Sequence, residues 1–158
     1  IGHNSRSDAL DYANMLYMGY SYNAELAEKK VHYLKMNGRR LYQYALSNVP
    51  KTIKAGLDKL NLHITDISKV LIHQANGKMD DAILKRLFDL YGINEVPDTI
   101  MPMTISWLGN SSVATVPTLL DMITRETMND HQLESGDIIV LTSVGAGMNI
   151  NSVIYKIP

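Results

Sequence analysis

Short apolar runs alternate with amphipathic helical patterns from about residue 39 to the end of the chain. The first helical pattern has apolar residues at steps of three or four, and Pro50 within it predicts a kink or a division into two helices. The apolar stripe consists of Tyr42, Ala45, Leu46, Val49, Ile53, Leu57 and Leu60. The next apolar run, residues 69–73, predicts a buried strand.

A second helical stripe follows this strand. Asp81 and Lys85 are spaced to form an ion pair on its solvated face, where we also expect Asp80. The stripe consists of Met79, Ala82, Ile83, Leu87, Leu90 and Tyr91. Residues 103–106 then predict a short strand.

A third stripe is formed by Val113, Val116, Leu120 and Ile123. Ser111 or Ser112 is available to cap this helix, and Pro117 requires that it start late or bend. Residues 138–142 and 150–157 predict two final strands around a glycine-containing corner.

This order predicts an α/β fold, in which a mixed, mostly parallel sheet has helices packed on both faces and ends in an antiparallel pair. The weaker pattern of residues 1–36 predicts an irregular N-terminal segment with one short helix around residues 24–30. Residues 37–158 are expected to form the domain itself.

Charge and composition exclude several classes of protein. A formal net charge of -1 and a pI near 6.6 argue against nucleic-acid binding, and no apolar run is long enough to cross a membrane. The absence of cysteine excludes disulfides, thiolate metal sites and a thiol nucleophile in this polypeptide. Because the chain starts at Ile1 and shows no secretory signal, we expect a piece of a longer soluble, cytoplasmic protein.

His73 is the strongest single candidate for chemistry. It ends an apolar strand and precedes a helix expected to start near Asn76 or Gly77, whose dipole lowers the affinity of an imidazole for a proton. A neutral imidazole there can donate one N–H to an oxygen that gains negative charge. Position alone leaves equally open a histidine that only satisfies a backbone carbonyl.

Two further loops follow predicted strands. Asn110 can donate its amide to a substrate oxygen, although a helix cap explains it more simply. The corner Gly145, Ala146 and Gly147 can bring backbone N–H groups close to a ligand, and a tight turn explains it equally well. The five histidines have no metal-ligand spacing.

Together these loops resemble those of the thiolase-fold condensing enzymes, most closely β-ketoacyl-acyl-carrier-protein synthase III. The resemblance covers roughly residues 35–158, whereas residues 1–30 match poorly. It is carried by residues 71–76 (LIHQAN), 109–118 (GNSSVATVPT) and 145–148 (GAGM), in this order.

The resemblance implies a decarboxylative Claisen condensation of an acyl-CoA primer with a malonyl-acyl carrier protein in fatty acid biosynthesis. His73 and Asn110 would donate to the malonyl thioester oxygen as it becomes enolate-like. The nucleophilic cysteine would lie in a missing N-terminal half, so this chain alone would be inactive. The family needs no cofactor beyond its thioester substrates, and its members are commonly homodimers.

The resemblance also implies binding roles. Gly38, Arg39, Tyr42 and Asn76 would contact the pantetheine arm, and Lys78 would meet the carrier protein. The backbone N–H of Ala146 would complete a second oxyanion site.

Three positions depart from the family pattern and put the acyl-chain preference in doubt. Ala146 replaces a glycine, Met148 stands where an aromatic residue is common, and Arg39 replaces an asparagine. Two alternatives remain open: an acyltransferase with another acceptor, and a non-catalytic module that binds acyl carriers. As half of a two-domain enzyme, the chain should expose an apolar face.

Overall fold

A computed structural model describes the backbone of residues 1–158 and all side chains except that of Ala9. The strands are β1 (Gly2–Ser7), β2 (Leu16–Tyr20), β3 (His32–Met36), β4 (Lys69–Ile72), β5 (Ile138–Gly145) and β6 (Asn149–Lys156). The helices are α1 (Ala9–Tyr12), α2 (Ala24–Ala27), α3 (Gly38–Lys59), α4 (Gly77–Asp89), α5 (Ile105–Leu108) and α6 (Thr115–Thr124). No described helix is long and apolar enough to cross a membrane.

Four strands form a mixed sheet in the order β1-β6-β5-β4. Strands β4 and β5 are parallel, whereas β5–β6 and β1–β6 are antiparallel, and β2 with β3 forms a separate hairpin. The α/β class and the mixed sheet are therefore confirmed. The expectation that parallel pairs predominate is wrong, because residues 103–106 form no strand and β1 joins the sheet as an additional antiparallel strand.

The N-terminal segment is more regular than its sequence indicates. Strand β1, with the polar sequence GHNSRS, lacks the apolar alternation that marks a strand and is instead held by backbone pairing with β6. Helix α2 lies within the interval expected to be helical. The irregular segment proposed for residues 1–36 is thus corrected to a sheet strand and a hairpin joined by short helices.

Helix α3 continues unbroken through Pro50, so the expected division into two helices is wrong. Proline removes one hydrogen bond of the helical ladder. Burial on both sides of it opposes the break, because Val49 is 2% exposed, and Ile53 and Leu57 are 0% exposed. Tertiary packing therefore outweighs the local preference.

The two faces of the sheet are covered differently. One face is sealed by α3 and α4, and its side chains Val140, Ile150 and Ile154 are 0% exposed. On the other face, α6 packs Leu119 and Ile123 against β4 and β5. Helices on both faces are as expected. On the second face, the β6 side chains beyond α6 remain open, with Val153 41% and Tyr155 40% exposed. Trp107, Leu108 and Val113, which precede α6, are also exposed.

Candidate functional site

His73 directly follows β4 and extends its pairing with β5. Its backbone N–H donates to Thr142 O at 3.1 Å, and its half-buried ring places Nδ1 3.1 Å from Ser112 O. Burial lowers the pKa of His73 below its usual value of 6.5, and the Ser112 carbonyl opposes that shift. The ring is therefore mostly neutral near pH 7 and reaches across to the loop that contains Asn110.

Asn110 lies in an exposed loop that begins with Gly109 in the left-handed region, at a φ of 65°. Its Oδ1 accepts the N–H of Ser112 at 2.9 Å. No other hydrogen bond of the Asn110 amide occurs within the part of the chain that is described. His73 and Asn110 are therefore both bound to one residue, Ser112.

Helix α6 begins at Thr115, later than its apolar stripe, as Pro117 required. Its N-cap is Ala114 without a side-chain cap, so the expected capping by Ser111 or Ser112 is wrong. Pro117 lies in the first turn, where a missing N–H costs no helical bond. The Asn110 side chain closes the turn before this helix instead of capping it.

Gln74 links the loop after β4 to the segment that leads into α5. It is 0% exposed, and its Nε2 donates to Pro102 O at 2.8 Å. Its Oε1 accepts N–H groups from Thr104 at 2.8 Å and Ile105 at 3.0 Å. Because these groups bind a side chain, residues 103–106 do not form the expected strand and lead into α5. Gln74 thus anchors the segment that carries Asn110.

Helix α4 begins at Gly77, as expected, and Asn76 is its N-cap. The Asn76 side chain accepts the N–H of Lys78 at 3.1 Å, and both residues are exposed. The cap uses the Asn76 oxygen. Asn76 and Lys78 thus present their nitrogen groups on the surface at the start of α4.

The solvated face expected on α4 is only partly correct. Asp81 is exposed, but Asp80 is 0% exposed and neither of its carboxylate oxygens has a hydrogen-bond partner among the described residues. Burial raises the pKa of Asp80 to about 7, and nearby Asp81 adds to the shift. Lys85 lies 3.8 Å from Asp89 rather than pairing with Asp81.

The glycine-containing corner joins β5 to β6, as expected. Gly145 and Ala146 are exposed, and Gly147 adopts a left-handed φ of 73° that glycine accommodates without strain. Asn149 Nδ2 donates to Ala146 O at 3.0 Å, and Tyr44 Oη donates to Met148 O at 3.1 Å. The corner is therefore held from both sides with Ala146 on its surface.

Gly38, Arg39 and Tyr42 lie in the first turns of α3. Gly38 borders a cavity of about 430 Å³, which is also lined by residues of the hairpin such as Tyr22 and Lys35. Arg39 is exposed, and half-buried Tyr42 packs against the core sealed by α3 and α4. These residues occupy one end of a helix whose Val49 lies close to His73.

The space directly beside His73 is small. A cavity of about 20 Å³ is lined by His73, Met79 and Val144 together with Val49, Ile72, Ile83, Thr142 and Ser143. This volume holds about one water molecule. Among the described residues, no group of three or more His, Asp or Glu side chains is placed to hold a metal ion.

Sequence reasoning missed the two residues that organise this site. The sequence indicates Ser112 only as a possible helix cap and Gln74 only as part of a motif. A left-handed backbone at Ser112 has no sequence signal, because serine is common in loops of every conformation. A buried glutamine after an apolar strand is a signal, since a buried amide requires several hydrogen-bond partners.

The fold and the three loops are those of a thiolase-like condensing enzyme. A family model described as "3-Oxoacyl-[acyl-carrier-protein (ACP)] synthase III C terminal" matches residues 57–157, more than half of the chain. The chain therefore belongs to the 3-oxoacyl-acyl-carrier-protein synthase III family, of which it matches the C-terminal part.

Relatives with curated names support this family assignment. The chain is 33% identical over 123 residues to a "Beta-ketoacyl-[acyl-carrier-protein] synthase III" of Microcystis aeruginosa, covering 78% of this chain and 34% of the relative. It is 31% identical over 132 residues to the protein of that name from Pyropia yezoensis, covering 84% and 37%. The chain thus spans little more than a third of the length of these relatives.

Solved structures show the same fold. The 3-oxoacyl-(acyl carrier protein) synthase III of Pseudomonas aeruginosa PAO1 superposes with a TM-score of 0.75 at 24% identity, covering 99% of this chain and 44% of that one. The priming β-ketosynthase of the R1128 polyketide pathway gives a TM-score of 0.79 at 23% identity, covering 99% and 44%.

Proposed function

We propose that this chain is the C-terminal part of an enzyme that condenses an acyl-CoA primer with malonyl-acyl carrier protein in the cytoplasm, for fatty acid biosynthesis. The relatives carry the name of this activity, and family membership supports its transfer. The chain would supply two charge-stabilising side chains, and the absent half would supply the nucleophile. Acyl-CoA and the acyl carrier protein are then its partners, and the full-length protein is a homodimer.

The observation that carries the proposal is the meeting of His73 and Asn110 on Ser112. Decarboxylation of a malonyl thioester leaves negative charge on the thioester oxygen, and donors aimed at that oxygen lower the barrier. The Asn110 oxygen accepts the Ser112 N–H, which leaves the NH2 group as the end of the side chain that can donate to substrate. The His73 ring is held by the same residue and contributes its other nitrogen.

The remaining candidates have supporting roles. Gly38, Arg39 and Tyr42 at the start of α3, together with Asn76, would bind the pantetheine arm. Lys78 is exposed one residue after the start of α4, where a cation can meet an acidic carrier protein. The backbone N–H of Ala146, at the corner from Gly145 to Gly147, would complete the oxyanion site for the acyl group on the absent cysteine.

The test uses the full-length protein with His73→Ala. Malonyl decarboxylation should fall about 100- to 1000-fold, the effect typical of one oxyanion donor, while acylation of the nucleophile persists. Asn110→Ala should behave in the same way. Decarboxylation can be followed by release of labelled carbon dioxide, and acylation by mass spectrometry.

His131 provides a matched control. It is also half-buried with Nδ1 3.0 Å from a carbonyl oxygen, that of Thr99, and burial lowers its pKa as well. Its partner Thr99 also accepts the side chain of Lys69, at the opposite end of β4 from His73. His131→Ala should therefore leave both half-reactions intact. If His73→Ala slowed acylation as much as condensation, His73 would serve the thiol or the structure instead.

A further inference from the structure

The corner between β5 and β6 has an unusual backbone. Its connection consists of Ala146, Gly147 and Met148. Gly147 and Met148 both adopt a left-handed φ, at 73° and 54°. Glycine accommodates this conformation, whereas methionine rarely adopts it. Because a strained residue persists only where its neighbours hold it in place, the contacts of Met148 decide whether the corner keeps its shape.

Met148 is held by groups from two other parts of the chain. Its side chain is 0% exposed, and its carbonyl oxygen lies 3.1 Å from Tyr44 Oη in α3. The backbone N–H of Asp8, which follows β1, donates to the same oxygen at 3.4 Å. Tyr44 is 6% exposed, so this contact is shielded from bulk water. The left-handed Met148 is thus anchored both to the long helix α3 and to the end of β1.

A carboxylate binds the Tyr44 hydroxyl as well. Asp8 Oδ2 accepts this hydroxyl at 2.5 Å and the Nε–H of Arg6 at 2.6 Å. The hydrogen bond from Tyr44 and then that from Arg6 lower the pKa of Asp8, whereas burial raises the pKa of Tyr44 to about 12. At neutral pH the carboxylate therefore only accepts hydrogen bonds. Tyr44 keeps its single proton and bridges Asp8 and the Met148 carbonyl.

We propose that Tyr44 is a positioning residue for the backbone N–H of Ala146. By anchoring the Met148 carbonyl, Tyr44 keeps the corner in the conformation in which this N–H can donate to substrate. The inference rests on the proposed function for its catalytic meaning. Because its hydroxyl is occupied by Asp8 and Met148, Tyr44 acts through the corner and does not donate to substrate itself.

The chemistry at Ala146 differs from that at His73 and Asn110. In acylation, the sulfur of the absent cysteine attacks the thioester carbon of the primer, and the carbonyl oxygen gains negative charge. The carbon–sulfur bond to coenzyme A then breaks, the carbonyl re-forms, and coenzyme A leaves as a thiolate. An N–H that donates to this oxygen lowers the barrier to the transfer. Decarboxylation of the malonyl thioester uses His73 and Asn110 instead, so the two half-reactions report on different parts of the site.

Tyr44→Phe tests the inference, because it removes the hydroxyl and keeps the buried ring. In the full-length protein, the maximal rate of acylation by acyl-CoA should fall by about 10- to 100-fold, the effect of a small displacement of a catalytic group. The KM for acyl-CoA, and the decarboxylation of malonyl-acyl carrier protein without primer, should stay within about twofold of the wild type. Mass spectrometry of the acyl-enzyme and release of labelled carbon dioxide measure the two half-reactions. An equal fall in both would give Tyr44 a purely structural role and overturn the inference.

Tyr91→Phe is the matched control. The Tyr91 hydroxyl is also buried, and burial raises its pKa to about 12, but it has no hydrogen-bond partner in the part of the chain that the structure describes. Tyr91 lies beyond the C-terminal end of α4, whereas His73 precedes the start of that helix. This variant should leave both half-reactions unchanged. Equal losses of acylation in the two Phe variants would contradict a specific role of the bond between Tyr44 and the corner.

Hydrogen exchange provides a readout without substrate. In Tyr44→Phe the backbone amides of residues 145–149 should exchange about 10-fold faster than in the wild type, whereas Tyr91→Phe should not change them. If the Tyr44 variant does not fold, a crystal structure of the full-length wild type decides. A left-handed Met148 with its oxygen bound to Tyr44 would support the anchor, and a distance beyond about 4 Å between the two oxygens would refute it.

These outcomes separate the two proposals. A full-length wild type that accepts no acyl group would refute the proposed function, while faster exchange in Tyr44→Phe would still support the anchoring of the corner. A wild type that is acylated, with Tyr44→Phe acylated at the same rate, would refute the role of Tyr44 and leave the proposed function intact.

Discussion

The two faces of the four-stranded sheet differ in how completely this chain covers them. On the face under α3 and α4, neighbouring strands contribute Val70, Val140 and Ile154, all 0% exposed. On the face under α6, Ile139 is 0% exposed, whereas its β6 partner Tyr155 is 40% exposed. This second face is thus covered over two strands and partly exposed over the next.

The difference shows which contacts this chain completes by itself. The sealed face has its full apolar core within the chain, whereas the open face exposes apolar side chains that normally favour burial. The candidate site lies where these surfaces meet, at the ends of β4 and β5 and the start of α6. Because the chain spans little more than a third of its relatives, we propose that the absent part covers the open face.

The largest expected effect is on the sealed face. Ile53→Ala in α3 removes a side chain that is 0% exposed and leaves a cavity against the sheet. The free energy of unfolding of the full-length protein should fall by about 2–5 kcal/mol. Denaturant titration followed by circular dichroism measures this. An effect as small as that of an exposed residue would mean that this face is not the main core.

A substitution on the open face should affect the free energy of unfolding differently in the full-length protein and in the isolated chain. Tyr155→Ala in the full-length protein should lower the free energy of unfolding by about 1–3 kcal/mol if another layer covers it. In the isolated chain, where Tyr155 is 40% exposed, the same change should have little effect on unfolding.

The same exposed surface predicts self-association of the isolated chain. The double substitution Val153→Lys and Tyr155→Lys should reduce association measured by light scattering. Lys156→Ala, on the neighbouring position of β6, is the control. An isolated wild-type chain that remains a stable monomer would argue against a missing layer.

The sequence predicts the sealed face well, because its signals are local. The 3.6-residue periodicity of α3 and α4 and the apolar run of β4 lead directly to the observed elements. The position of His73 at the end of β4 follows from the same pattern. The predicted division of the helix at Pro50 is wrong, because the burial of Val49 and Ile53 outweighs the tendency of proline to break a helix.

The errors lie where long-range contacts decide the structure. Polar β1 is a strand only because β6 provides a backbone edge, and Asp80 is buried although its own side chain is ionisable. The family resemblance predicts that His73 and Asn110 act as a pair. The sequence gives no sign that Ser112 joins them, because that contact depends on a left-handed φ.

Asp80 is a buried carboxylate without a hydrogen-bond partner among the described residues, and it lies in α4, one of the two helices that cover the sealed face. Its pKa is raised to about 7 by burial, with Asp81 contributing, whereas an unfolded aspartate titrates near 3.9. The native state therefore retains a proton between these values that the unfolded state releases. The stabilisation linked to that proton is complete below about pH 4 and is lost as the pH rises through about 7.

Replacement of Asp80 tests this linkage. Asp80→Leu should raise the free energy of unfolding at pH 8 by about 1–2 kcal/mol, because it removes an unpaired buried polar group. Asp80→Asn should abolish the pH dependence of this position while it keeps a polar side chain. Denaturation of each variant at pH 5 and pH 8 measures the difference. A wild type that is more stable at pH 8 than the Leu variant would show that Asp80 has a partner.

The smallest expected effects concern ion pairs on the outer surfaces of the helices that cover the two faces. On α3, Lys54 lies 2.7 Å from Asp58 and 4.6 Å from the ring centroid of Tyr91, whereas on α6 Arg125 lies 2.8 Å from Asp121. Lys54 is 32% exposed and Arg125 is 72% exposed, so solvent screens the α6 pair more strongly. Asp58→Asn should lower the free energy of unfolding by about 0.5 kcal/mol, and Asp121→Asn by less than about 0.3 kcal/mol. Denaturant titrations at low and high salt measure both values. If Asp121→Asn lowered the free energy of unfolding of the full-length protein more than Asp58→Asn does, the Arg125–Asp121 pair on α6 would be buried there by the absent part of the protein.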